Sequence, residues 1–404
     1  MQRVLAIIIC GHRRLRGDRL FGLSTGRRIQ LTFKRCIRSH SCSSDFDEEV
    51  FNIKISTYNK NKNTCIKKSF KVGNFGQLFI MTDKDTRIPR ETRWPSVLYY
   101  LYLHFSALIG LYFVVFQSKW TTIFYTICLV YVSVLGLSAG AHRLWAHLSF
   151  KASTVLRGFL AFAQALICQG SLYDWVLEHR LHHAHFGTEK DPFNPHRGFF
   201  YAYFTNKLVT SHPDHEKLLK TIDVKDLEQD PIVMWQKRLY WLLAPLLVMF
   251  TVFLPSELWD ESLMSSIFIV GFLRVTVSLH YSWILNAATI IWGLEPLNKY
   301  SIQTNLVFVI NKSLWPQYHY TLPWDYQCGE YGNYNHGCIT AHIRVWAALR
   351  LVTNLRTIDT DGMRKAMIEA ASTGQEFNQC AEKYAFDPNL LKIKCELDLE
   401  RIPS

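Results

Sequence analysis

The chain has 404 residues, about half of them apolar, and a net charge of +12; residues 1–94 hold 20 Lys and Arg against 8 Asp and Glu, so the excess lies entirely there. A basic balance suits nucleic acid or an anionic membrane surface, but this segment offers no stacking platform and no nucleic-acid motif, and it is read as a flank with no nucleic-acid partner. The ten cysteines include no C-x-x-C pair, which argues against a zinc ribbon or a disulfide framework and for a reducing, cytosolic setting.

Residues 1–80 mix Arg-rich, Cys-containing and Asn/Lys-rich stretches without evident helical or strand periodicity. The first 40 carry ten basic residues and one acid, a pattern that mitochondrial transit peptides also show. Val4 to Cys10 is apolar but too brief to cross a bilayer, and the next methionine after Met1 is Met81. We expect residues 1–80 to be a disordered or non-native basic extension, with the working protein beginning near Met81 and residues 81–96 forming a cytosolic N-terminal segment.

Val97 to Gln117 is uncharged and apolar, long enough for a helix across a hydrocarbon core of about 30 Å. Thr121 to Ala141 repeats the pattern after the short hinge Ser118-Lys119-Trp120, so residues 97–141 read as a transmembrane hairpin. The basic flank places both of its ends in the cytosol. Val155 to Leu172 is also apolar, but Arg157, Gln164, Gln169 and Gly170 fit lipid poorly, and a helix at the membrane surface is expected. Residues 142–236 read as a cytosolic region. Leu239 to Leu254 and Leu263 to Leu285 form a second hairpin within residues 237–285, and residues 286–404 form a C-terminal cytosolic cap, helical over Ala341 to Leu355 and Asp361 to Ala371. The fold class is thus an all-α integral membrane protein with four transmembrane helices and a helical cap.

Histidines concentrate where the chain leaves the first hairpin. His142 and His147 flank Arg143-Leu144-Trp145-Ala146, and His179, His182 and His183 stand at i, i+3 and i+4, which share one face of a helix. Imidazoles aimed one way make a nitrogen-rich surface suited to iron, zinc or copper. A solvated face would gain nothing from histidine over charged residues.

These motifs, together with Asp191-Pro192-Phe193-Asn194, Arg197-Gly198-Phe199-Phe200, Asp230-Pro231, Pro323-Trp324-Asp325-Tyr326 and Glu330-Tyr331, resemble the membrane acyl-CoA desaturases in order and approximate spacing. The resemblance runs from about Trp94 to Leu355. It implies a histidine-held di-iron centre that makes a cis double bond in a fatty acyl-CoA, of delta-9 type, at the endoplasmic reticulum. It further implies electrons from cytochrome b5, a multi-pass topology and cytosolic termini. An unactivated C–H bond lies beyond side-chain acids and bases, so the cofactor must carry that chemistry.

Motif by motif, the resemblance carries six histidine ligands onto this chain, His142, His147, His179, His182, His183 and His319, with Asn286 acting through a water. Three further ligands of the family are Ile290, Pro316 and Tyr320 here, which leaves at least one metal position short of donors. Tyr320 could supply a phenolate, and His185 could turn inward. The family's arginine before the second motif is Leu177, followed by Glu178 in place of an aspartate. The Arg-Lys pair expected before His212-Pro213 is Thr210-Ser211, so the grip on phosphates should weaken. Gln169, Trp175, Ser282 and Trp283 match the family's acyl tunnel, and Val130 and Val134 fall where its depth is set. Two functions follow: an iron-dependent desaturase with an atypical centre, or an impaired homologue acting as a lipid-binding or regulatory membrane protein. A hydroxylase on the same scaffold shares the metal requirement and gains nothing from the substitutions.

Overall fold

The computed structural model describes the backbone of residues 19–22, 27–37, 49–59 and 64–72, and then residues 88–291, 315–328 and 337–389, with side chains left out at 288–291 and 315–317. The chain divides into two units, Met1–Arg87 and Ile88–Ser404.

In the first unit, β1 (Arg19–Gly22), β2 (Arg27–Ile37), β3 (Glu49–Asn59) and β4 (Thr64–Val72) form an antiparallel meander in sequence order. This departs from the expectation of a segment without strand periodicity. Ile29, Leu31 and Phe33 recur at every second position, as do Phe51, Ile53 and Ile55, and the register sets Leu31 opposite Ile55 and Phe33 opposite Ile53. A period of two is the strand signal. The residues between those positions, Gln30, Thr32, Asn52 and Lys54, are polar, so the alternation is present in the sequence.

The second unit is helical, with four helices long and apolar enough to cross a membrane: α1 (Trp94–Phe116), α2 (Trp120–Ala146), α5 (Pro231–Trp259) and α6 (Leu263–Ala287). Each covers one expected span. Leu98, Leu101, Phe105 and Leu108 on α1 and Leu242, Leu246 and Phe250 on α5 are exposed, an apolar surface that suits lipid. The third span starts eight residues before its expected Leu239. Asp230 caps it by accepting from Ile232 N–H at 3.0 Å, and Pro231 occupies its first turn, where a missing N–H costs nothing.

The two hairpins are tied together at their turns. Buried Glu261 accepts from Lys119 N–H at 2.9 Å and from the Thr122 hydroxyl at 2.5 Å, while Lys119 Nζ donates to the carbonyls of Trp259 and Asp260. Both turns therefore lie at one end of the bundle, and the chain ends leading to the histidines lie at the other. Gly110 allows a close crossing there: a Cβ on it would meet the Phe268 carbonyl at 2.3 Å.

Between the hairpins run α3 (Thr154–Ala165) and α4 (Leu172–Ala184). At 12 residues, α3 is about 18 Å long, too short to cross a bilayer. Arg157 on α3 pairs with Asp230 at 2.8 Å, which accounts for a charge inside an apolar run. Further on come α7 (Trp315–Thr321), α8 (Cys338–Ala348) and α9 (Thr360–Thr373). The helix expected to reach Leu355 stops at Ala348, because Arg350 turns left-handed at φ 60° and Val352–Thr353 pairs with Lys151–Ala152. The described cysteines are all free, as the absence of a disulfide framework implies.

Candidate metal centre

The end of α2 is a π-helix over Gly136–Ala146. On an α-helix His142 and His147, five apart, would point about 140° away from each other. Here His147 N–H donates to the His142 carbonyl at 3.1 Å, an i to i+5 bond. That widened turn brings the two rings to 4.7 Å between centroids. Such bulges cluster at functional sites because they re-aim side chains in this way.

On α4 the i, i+3, i+4 spacing works as expected, setting His179, His182 and His183 beside that pair. Ser171 caps the helix, accepting from Asp174 N–H, and Gln236 of α5 accepts from Leu172 N–H at 2.9 Å. His319 arrives on α7. That helix is held by Tyr318, whose hydroxyl donates to Asp325 at 2.5 Å. The backbone carbonyl of Tyr326 accepts from Arg143 at 3.0 Å. The motif Trp324-Asp325-Tyr326 is thus a brace for His319 and His142.

His142, His147, His179 and His319 are buried, and one nitrogen from each lies within 4.8 Å of those of the others. His147 Nε2 and His179 Nε2 face each other at 3.0 Å, and His183 Nε2 stands 3.2 Å from His319 Nε2. Burial, reinforced by neighbouring imidazoles, holds the pKa of His147, His179, His183 and His319 well below the usual histidine range. These rings are therefore neutral and offer lone pairs, the form that binds metal. The donor set fits one iron-like ion.

Among the described residues it does not extend to a second in the same way. His182 Nδ1 lies 2.7 Å from Asp191, and its Nε2 lies 2.9 Å from the Tyr320 hydroxyl. With the carboxylate accepting from Nδ1–H, Nε2 accepts from the phenol, and both ring nitrogens are engaged. Of the six expected histidine ligands, four converge, His183 adjoins them and His182 is turned to Tyr320. His185 ends α4, its backbone N–H donating to Leu181 at 3.1 Å, and is not among the four. Asn286 Oδ1 lies 3.1 Å from His179 Nδ1, so it orients a ligand directly, a contact the expected water-mediated role did not include. Ile290 lies on the helical backbone Arg274–Ile291 that continues α6, and its side chain and that of Pro316 fall outside the described residues, as do Glu330 and Tyr331.

A cavity of about 720 Å³ opens beside the centre and is lined by Gln169, Trp175 and Glu178 as well as His179 and Asn286. Trp175 stacks on His179 at 5.0 Å and donates to the Ser282 hydroxyl at 3.3 Å. Trp283 is buried behind that wall against Tyr100 and Phe204. The five expected substrate residues are thus contiguous, with Ser282 and Trp283 supporting the cavity wall. Arg90 and Lys207 have no signal in the sequence motifs, and Asp191 stands in one of them without an assigned role. The Asp191-Pro192 turn four residues after Gly187 was the available signal for Asp191.

No protein-family model matches the chain. Curated proteins do: an acyl-CoA Delta-9 desaturase of Acheta domesticus is 37% identical over 273 residues, 67% of this chain and 76% of that one. An acyl-CoA Delta-12 desaturase of Tribolium castaneum is 32% identical over 291 residues, 71% and 81% of the two chains. Stearoyl-CoA desaturase of Homo sapiens is 35% identical over 257 residues, 62% and 70% of the two.

Proposed function

The chain belongs to the acyl-CoA desaturase family, and from that premise we propose that it introduces a cis double bond, of delta-9 type, into a saturated fatty acyl-CoA at the endoplasmic reticulum membrane. Iron bound by His142, His147, His179 and His319 would supply oxygen activation. The overall change consumes dioxygen, two electrons and two protons, and releases two waters; cytochrome b5 is the proposed electron donor. The observation that carries this reading is the convergence of those four buried imidazoles beside a cavity lined by Gln169 and Trp175.

The chain's own residues would do the positioning. Asn286, accepting from His179 Nδ1–H, leaves Nε2 of that ring toward the centre. Trp175 forms a wall between cavity and histidines, anchored through Ser282. Both chain ends would lie in the cytosol with the histidine region, opposite the turns held by Glu261.

A second reading is favoured by one contact. Because the Tyr320 hydroxyl engages His182, a centre with a single iron would make the protein an impaired homologue that binds or regulates rather than desaturates. Expression in yeast lacking its own desaturase separates the two. Growth without added unsaturated fat supports the enzyme, and failure to grow with the protein correctly inserted supports the second reading.

A further inference from the structure

The family's basic residues beside the substrate mouth are missing at Leu177, Thr210 and Ser211, yet Arg90, Arg93, Lys190 and Lys207 line the same cavity, the exposed Arg93 and Lys190 at its surface and Arg90 and Lys207 partly buried. Residues 88–93 form an extended strap. Arg93 N–H donates to the Leu208 carbonyl at 2.7 Å, Thr210 N–H to the Glu91 carbonyl at 2.8 Å, and Glu91 N–H to the Thr210 hydroxyl at 3.1 Å. Thr210, standing where an arginine is expected, thus secures the strap that carries Arg90. The pairing sets Arg90 and Lys207 along one cavity.

Neither cation makes an ion pair among the described residues, although Glu189 acts on Arg90 and Glu178 on Lys207 at longer range. Arg90 donates through Nη2 to the Glu189 carbonyl at 3.2 Å, while its Nε and Nη1 are buried and have no hydrogen-bond partner. Lys207 is partly buried, its ammonium 4.5 Å from the centre of the Phe193 ring, and makes no ion pair among the described residues. The carboxylates that line the cavity are engaged elsewhere: Glu178 with His215 at 2.7 Å, Asp174 with the Ser171 hydroxyl at 2.6 Å, Asp191 with His182 at 2.7 Å. Burying an unpaired cation is unfavourable, so a site that keeps two is built for an anion that arrives with a ligand. The same cavity is lined by Trp175, Leu279 and His179. A ligand that fits both sets of residues carries a phosphate head and an apolar chain.

We propose that Arg90 and Lys207 bind a phosphate of the coenzyme A moiety, taking over the role of the basic residues that this chain has lost. The inference rests on the acyl-CoA reading above. Guanidinium groups suit phosphate, and Arg90 keeps two buried donors without a partner, Nε and Nη1, on different sides of the group, each able to take one phosphate oxygen. Lys207 adds a point charge.

The test compares binding of stearoyl-CoA with stearoyl-pantetheine, the same thioester without phosphates, to the full chain in neutral detergent. Arg90→Gln and Lys207→Met should each weaken stearoyl-CoA binding on the order of ten- to a hundredfold and leave stearoyl-pantetheine unchanged. Equal losses for both ligands, or none for stearoyl-CoA, would overturn the proposal while leaving the desaturase reading intact. Phosphatidic acid added to the micelle provides the other source of phosphate. If its binding, and not that of stearoyl-CoA, depends on Arg90 and Lys207, the site takes a lipid headgroup and the proposal fails. Failure of the unaltered protein to bind either thioester would sink both the reading and this inference.

Discussion

The Tyr320 hydroxyl and Nε2 of His182 stand 2.9 Å apart. A side chain that replaces one expected ligand thus also takes up the lone pair of another that is retained. Asp191 completes the arrangement from Nδ1, so His182 is satisfied without a metal. The single-iron reading predicts about one iron per chain on purification and the desaturase reading about two, while the triple variant Ile290→His, Pro316→His, Tyr320→His should approach two on either. Tyr320→Phe alone should add no iron. It leaves His182 Nε2 without its donor, at a cost of about 1–3 kcal/mol, visible as a lower melting temperature. Elemental analysis decides; two irons in the unaltered protein would show that Tyr320 yields to metal.

Asn286 offers a separate handle on the four-histidine group. Its amide oxygen selects which nitrogen of His179 carries the proton, and outer contacts of this kind typically alter metal affinity about 10–100-fold. Asn286→Ala should lose iron by that factor in a chelator competition. Asn286→Asp, which keeps an acceptor facing Nδ1, should retain more iron than the alanine variant. Equal loss in both would assign Asn286 to packing.

Much of this was legible in the sequence, for identifiable reasons. The four spans follow from apolar length, interrupted by a charge only at Arg274 in the last, and the face shared by His179, His182 and His183 follows from α-helical spacing. The pairing of His142 with His147 does not, since it depends on a π-helical turn whose bonding no residue pattern declares. Tyr320 could be read as a substitution, but its contact with His182 joins residues 138 apart in sequence. The same holds for Arg90 and Lys207, brought together by a strap secured through backbone groups. The strands of residues 19–72 were legible too, in the alternation Ile29, Leu31, Phe33 and Phe51, Ile53, Ile55, but composition outweighed it.

Glu261 should matter for stability and not for the metal. Its carboxylate accepts from Lys119 N–H, Thr122 and, through Oε1, Ser262 N–H at 3.0 Å. An amide at that position has one acceptor oxygen and two donors, so Glu261→Gln must strand at least one of those groups, costing about 1–3 kcal/mol. The melting temperature should fall while iron content is unchanged. A loss of iron with no change in melting would refute the view that this end of the bundle is a structural clasp.

Lys207 gives a pH signature with opposite signs for the empty and the loaded protein. Burial brings its pKa down to about 8, partly countered by Glu178. The other titratable or charged groups lining the cavity are Arg90 and Arg93 on the strap, Asp174 on α4, and Lys190, Asp191, His212 and His215 beyond it. Of these, His212 is held below its usual value, chiefly by burial, so it stays neutral between pH 7 and 9. A bound phosphate favours charged Lys207, and affinity for stearoyl-CoA should fall as pH rises through about 8. Without ligand the sign reverses. Between about 8 and the unfolded value of 10.5 the unfolded chain binds the extra proton, so the penalty for burying the charge is lifted and stability rises with pH. Lys207→Met should flatten both trends and raise the melting temperature of the empty protein at pH 7, where the buried charge is present in full. Titration of binding and melting from pH 7 to 9, for the unaltered and Lys207→Met proteins side by side, reads both signs. Parallel curves for the two proteins would remove Lys207 from the phosphate site.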